Sequence, residues 1–294
     1  MYLLLPLLAA IVFALGLIVY KRAFSEGAGV VHALVVNNVI LGVAFLPLLY
    51  LEPRPIPWAD WHLPVLTAAA FVVGHLLNVL SLRVGDVSVA TPILGAKVLF
   101  VALLGWLVFG ASFNLAQWLA ALLATVGVVV MGWTDYQPGG RFGLTTALAL
   151  GCAAAFAFTD FMIQAWGERF GVFNFLPLQF AALGVLSAAL LPCFGRHSLR
   201  APRRAWKWIF AATGLSALQG ILITGTIAVW RDAAGVNVVY ATRGVWSVAL
   251  VWFAGHWLGN TERHTAGHRR MAQRLVGAAL IVAAVVLTVK FGAR

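Results

Sequence analysis

Charge is what this sequence has least of. Only 10% of its 294 residues are charged and 62% are hydrophobic, whereas a soluble domain is about half apolar and about a quarter charged. That excludes a water-soluble globule, because so much apolar surface has no interior large enough to hide it. Acidic residues are scarcer still: 9 Asp and Glu stand against 20 Lys and Arg, for a formal net charge of +11. In a soluble chain that imbalance would point to nucleic acid. Here the bases sit in short links between apolar runs, so they read as orientation signals and contacts with anionic lipid head groups. Cysteine is nearly absent. Cys152 and Cys193 both fall in apolar runs, which excludes a disulfide framework and the zinc and redox spacings.

Catalytic signatures are missing as well. There is no HExxH, no GxSxG and no P-loop. His264 and His268 have i, i+4 spacing but no third ligand nearby, so no metal, cofactor or catalytic residue is assigned. Apolar–polar alternation over about ten residues, the mark of a membrane β-barrel, does not occur. The first apolar run lacks a basic start and ends on Lys21 and Arg22 rather than on small residues, so it reads as a spanning helix and not as a cleaved signal.

What is there is a series of apolar runs of spanning length, about 20 residues each. Ten are found, near 2–20, 31–51, 63–82, 87–109, 114–133, 142–163, 172–194, 207–229, 235–257 and 272–291. The breaks carry turn chemistry or charge, with "DYQPGGR" after the fifth run. The expected fold is therefore all-α and integral to the membrane, with ten transmembrane helices in two five-helix halves, 1–137 and 138–294. Arg83-Val84-Gly85-Asp86 before run four resembles Arg231-Asp232-Ala233-Ala234-Gly235 before run nine, and Val-Ala-Leu recurs at 101–103 and 248–250. Because five is odd, the second half enters the membrane in the opposite direction. Such inverted repeats place a binding site near the midplane where the halves meet. Gly255 and Gly259 at the end of run nine fit close helix packing.

Residues 81–132, "SLRVGDVSVATPILGAKVLFVALLGWLVFGASFNLAQWLAALLATVGVVVMG", resemble the helix 3–4–5 block of EamA-type members of the drug/metabolite transporter superfamily. The shared elements are a tight turn, a Ser-Val-Ala start and an early proline in helix four, an "LLGWLxFG" exit and the "QWLAALLATVGVVVM" fifth helix. The second half departs more. Run nine lacks the matching proline, the link "NTERHTAGHRR" is longer and more basic, and Ala111 stands where the family often has an acid. The resemblance implies a secondary transporter or exporter of small metabolites. It further implies a central cavity built from helices 1–4 and 6–9, with both termini cytoplasmic.

Three ionisable residues lie within the runs: Lys97 in run four, Arg243 in run nine and Asp160 in run six. Each cation costs about 2.5–3.5 kcal/mol at a helix centre, and such groups face a cavity or a partner. Lys97 and Arg243 fall one residue from equivalent positions of the two halves. Two readings stand side by side: the two cations form an anion site, or Lys97 pairs with Asp160 while Arg243 bonds to carbonyls or snorkels. Asp160 is also the only intramembrane acid available for proton coupling, since run one contains none. Other polar and aromatic groups recur at helical spacing and read as cavity lining. They are His75 and Asn78, Asn37 and Asn38, Tyr240 and Trp246, with Gln164, Gln179 and Gln219.

The expected function is a carrier of a small anionic or zwitterionic metabolite working by alternating access. Its partners are that small molecule and the lipid bilayer of the cell membrane, which the chain crosses many times with both termini on one face. An integral-membrane enzyme acting on lipid and a non-transporting assembly subunit are the alternatives. On orientation, two rules disagree. The odd-numbered links carry 13 Lys and Arg, the even links and C-terminus 5, which puts the odd links in the cytoplasm and the termini outside, opposite to what the resemblance implies. The charge count predicts that a C-terminal reporter active only in the cytoplasm stays silent; an active fusion reverses the assignment.

Overall fold

A computed structural model describes residues 2–29, 31–52, 54–84, 93–108, 110–133, 142–194, 199–254 and 268–291. Pro92, the start of run four, the break between the halves, Gly255, Gly259 and His264 lie outside the described residues.

Every regular element among the described residues is helical, as lipid requires: with no water to bond, backbone polar groups must be satisfied inside the segment. The α-helices of eight or more residues are α1 (Leu4–Ser25), α2 (Asn37–Phe45), α3 (His62–Val84), α4 (Lys97–Leu107), α5 (Leu115–Trp133), α6 (Phe142–Phe170), α7 (Val172–Ala189), α8 (Arg203–Trp230), α9 (Ala233–Tyr240), α10 (Arg243–Ala254) and α11 (His268–Phe291). A π-turn (His32–Val36) precedes α2, a 3-10 turn (Leu46–Leu51) follows it, and the three pieces form one span, His32–Leu51. Seven helical stretches of the described residues are long and apolar enough to cross a membrane, and Lys97–Leu107 and Leu115–Met131 are shorter apolar helices.

Two runs are not continuous helices. Run nine, expected as one helix over 235–257, breaks at Ala241 and Thr242 into α9 and α10. The Thr242 amide bonds to Val239 O (3.1 Å) and its hydroxyl donates to the same carbonyl (2.7 Å). The three-residue spacing tightens the turn there. In run four, Gly95 and Ala96 form a turn before α4, with the Ala96 amide on Ile93 O at 3.0 Å. α4 therefore opens on Lys97 and α10 on Arg243.

Helix contacts fall into pairs. The outer helices α5 and α11 lie against each other; α1 packs on α8, α3 on α6, α2 on α7, α4 on α6, and α1 on both α9 and α10. α3 also meets α7, and α2 meets α8. The main core fills the centre with Phe45, Phe161, Phe175, Phe180 and Tyr240, while Val185, Leu275, Val282 and Val286 face outward. Outward apolar side chains have lipid as their solvent.

Side-chain bonds identify the two ends of the bundle. At one end, joined by the even links, Arg231 pairs with Glu168 (2.5 Å), Arg169 with Asp60 (2.6 Å) and Arg54 with Glu52 (3.1 Å). There the Tyr2 hydroxyl donates to Asp232 (2.6 Å), whose other oxygen caps α9 by accepting from the Gly235 amide (2.8 Å). At the opposite, odd-link end, Glu26 holds Arg22 (2.8 Å) and Arg204 (2.9 Å), and His32 Nε2 meets Leu199 O (3.1 Å).

The α5–α11 contact depends on two glycines. A Cβ added to Gly127 would lie 2.7 Å from Gly277 O, and one added to Gly277 would lie 2.5 Å from Gly127 O. Backbones this close leave no room for a side chain. Gly127→Leu should therefore destabilise the folded protein by about 1–3 kcal/mol, the usual cost of overpacking, read as a lower thermal midpoint in detergent. An unchanged midpoint would show that the helices part freely.

Candidate functional site

The two helix breaks meet in the middle of the bundle. Gly95, Lys97, Asn237, Ala241 and Arg243 line one narrow crevice between them, and α4 packs on α9. Beside it opens a cavity of about 220 Å³. Its wall includes Phe13 of α1, Asn37 of α2, Phe71, His75 and Asn78 of α3, Lys97 of α4 and Asp160 of α6. Phe180 of α7, Gln219 of α8, Tyr240 of α9 and Arg243 of α10 complete it. Asn37, His75 and Asn78 lie in the parts of α2 and α3 nearer the odd-link end, so the cavity runs from the middle of the bundle toward that end.

Lys97 Nζ stands 2.8 Å from Asp160 Oδ2, with both side chains largely buried. The same oxygen accepts a hydrogen bond from Asn237 Nδ2 at 2.6 Å, and Nδ2 also donates to Ala233 O at 2.8 Å. Asn237 thus ties the carboxylate of α6 to the first turn of α9. Among the described residues that line the cavity, Asp160 is the one acid. The Arg243 guanidinium carbon lies 4.7 Å from the centre of the Tyr240 ring and 5.2 Å from that of Phe13. Aromatic faces stabilise a cation at such distances while leaving its edge for hydrogen bonds.

His75 is gripped edge-on by Phe71 (4.8 Å between centroids) and Phe156 (5.3 Å). Its Nδ1 and the Oδ1 of Asn78, three residues along the same face, are buried without a hydrogen-bond partner. Orphaned polar atoms in a cavity wall call for an explanation, and a bound molecule or ordered water supplies one. Asn37 Oδ1 accepts from the Tyr20 hydroxyl (2.9 Å) and Asn37 Nδ2 donates to Asn38 Oδ1 (3.3 Å).

Of the residues singled out in the sequence, Lys97, Arg243, Asp160, His75, Asn78, Tyr240, Asn37 and Gln219 are brought to the one cavity. Asn38 and Trp246 are not among its lining residues. Asn38 points between helices, donating to Ser187 Oγ of α7 at 2.9 Å, because adjacent positions on a helix face different directions. Trp246, one turn beyond Arg243, packs against the main apolar core. Gln164 accepts from the Ala233 amide (2.8 Å), and Gln179 is fully buried with both amide atoms unpartnered. Sequence reasoning missed Asn237 and Tyr20. The spacing of Asn237 was the signal, three residues before Tyr240 and six before Arg243.

Removing one partner of a buried ion pair costs about 3–5 kcal/mol, because the other charge is left buried alone. Lys97→Met should lower the thermal midpoint of the protein in detergent, and Lys97→Met with Asp160→Asn should recover most of the loss. If the single variant unfolds like the parent, the pair is not held out of water.

Residues 1–133 match the EamA-like transporter family. That region includes Lys97 and ends before Asp160, Asn237 and Arg243. One solved crystal structure superposes on the chain with a TM-score of 0.76 at 16% identity, covering 99% of each chain. At that identity the likeness is one of fold alone. No curated protein matches the chain.

Proposed function

We propose that this EamA-like membrane transporter is a secondary carrier of a small anionic or zwitterionic metabolite, working by alternating access in the cell membrane. The observation that carries the reading is the meeting of Lys97 and Arg243 in one cavity, each opening a helix just after a break. Broken helices at the middle of a bundle are where transporters bind their substrates. Two cations buried there at about 2.5–3.5 kcal/mol each favour a negatively charged group. His75, Asn78, Asn37 and Tyr240 shape the remainder of the pocket.

The inverted-repeat plan, 1–137 and 138–294 with ten spans, draws support from the packing. Let the span His32–Leu51 be the second, and let α9 with α10 be the ninth. Exchanging each span with the one five places along turns α1–α8 into α6–α3 and α4–α6 into α9/α10–α1. It turns α3–α7 into α8–α2, and leaves α2–α7, α5–α11 and α4–α9 unchanged. Contacts that survive this exchange are those expected of duplicated halves.

Ion pairs tie the links together at the even-link end of the bundle, while the cavity extends toward the other end. A cavity that reaches toward one end of the bundle is what a single stage of alternating access requires. In the orientation favoured by the charge count that end faces the cytoplasm.

Transport in proteoliposomes tests the reading. Losing a buried charged contact to a ligand costs about 2–5 kcal/mol, or about 30-fold and more in affinity. Lys97→Ala and Arg243→Ala, recovered folded, should each abolish uptake of the anions that the parent carries. Normal transport by Lys97→Ala would rule out the anion site.

A further inference from the structure

The position an anion would occupy on Lys97 is already taken. Asp160 Oδ2 sits 2.8 Å from Nζ, and the same oxygen is held by Asn237 at 2.6 Å. Two donors from two helices on one oxygen mean that Asp160 does not depend on Lys97 alone to stay in place. Asn237 is itself fixed by its bond to Ala233 O at 2.8 Å, and an amide N–H can donate to a carboxylate and to the carbonyl oxygen of a neutral carboxyl group alike. The lysine end is the exchangeable one. An ammonium is a compact point charge on a flexible stem, whereas the Arg243 guanidinium is flanked by the ring faces of Tyr240 and Phe13.

We infer that Asp160 is a built-in surrogate for the substrate's negative group: an incoming carboxylate or phosphate replaces it on Lys97, and Asp160, released but still held by Asn237, takes up one proton. The inference rests on the anion-carrier reading and adds to it the coupling. The balance is simple. The Lys97–Asp160 ion pair breaks, a Lys97–substrate pair forms, and a solvent proton entering through the cavity becomes the O–H of Asp160. Lys97 stays an ammonium throughout, and the substrate anion and one proton enter the site together. The physical drive is that the substrate's negative group takes the Lys97 ammonium away from Asp160 while Arg243 stays between its two rings, and a buried carboxylate that loses its contacting cation favours its neutral form. Other groups around Asp160 are few. α3 brings His75, α4 Lys97, α9 Tyr240 and α10 Arg243 to the cavity, α6 itself carries buried Cys152, and α7 and α8 bring no titratable side chain to it.

Binding that takes up a proton weakens as pH rises, by up to about tenfold in Kd per pH unit for one proton. The probes are pyruvate, L-glutamate, L-lactate and inorganic sulfate, whose charges stay nearly constant from pH 5 to 8, with Kd read by thermal shift of the purified full chain over that range. For the anions that bind the parent, Kd should rise with pH, and Asp160→Asn should bind them more tightly at pH 8 with no slope. His75→Gln should change Kd, as a pocket residue, and yet keep the parent's slope. A second measurement needs no variant: in weak buffer with a pH dye, the parent should take up about one proton per anion bound. Anion binding without a pH slope or proton uptake would overturn the exchange and leave the carrier reading intact, as would an unchanged slope in Asp160→Asn. No stabilisation of the parent by any of the four probes, together with normal transport by Lys97→Ala, would overturn both.

Discussion

Lipid offers no water to a buried polar group, and the structure is organised around that shortage. The backbone answers it by being helical over nearly all the described residues. The side chains answer it at Asp160, where an ammonium from α4 and an amide from α9 converge on one oxygen. Three elements distant in sequence are fixed to each other by that oxygen. The two helix breaks then face one another across the same point, and the cavity opens beside them.

The outer and inner parts of the molecule solve different problems. α5 and α11 are joined through the backbone contact of Gly127 and Gly277 and through small side chains such as Ala120, Ala124 and Ala284. That contact needs close approach and little else. Inside, large aromatics carry the packing: Phe45 stacks on Phe180 at 3.9 Å, and Phe71 meets both Phe156 and Phe180 edge-on. Their rings leave a space whose polar atoms, His75 Nδ1 and Asn78 Oδ1, have no partner within the protein. A core built only for stability would have filled or paired those positions.

At the even-link end acidic and basic residues are matched. Arg54, Arg169 and Arg231 of the even links are each engaged with an acid, Glu52, Asp60 and Glu168. Four of the nine acids of the chain, counting Asp232, are gathered there. Their pairing balances charge locally and ties the even links to one another.

Composition and periodicity alone made the chain an all-helical membrane protein, because a run of about 20 apolar residues has few other fates. They also placed Lys97, Asp160 and Arg243 inside the bilayer, and the spacing of His75 with Asn78 put both on one helix face. What the sequence left open was the partner of Lys97, with Asp160 and a substrate both in contention. Tertiary structure sets Asp160 against that lysine, because α4, α6 and α9 meet only when the bundle is assembled. It likewise turned Asn38 toward Ser187, set Trp246 against the core, and recruited Asn237, whose spacing from Tyr240 and Arg243 marked a shared face but not its bond to Asp160. It also broke run nine at Thr242, a kink whose bonds depend on local backbone geometry that hydropathy does not register. Burial in lipid is a property of each segment and can be read one run at a time; the pairing of buried charges is a property of the assembled helices.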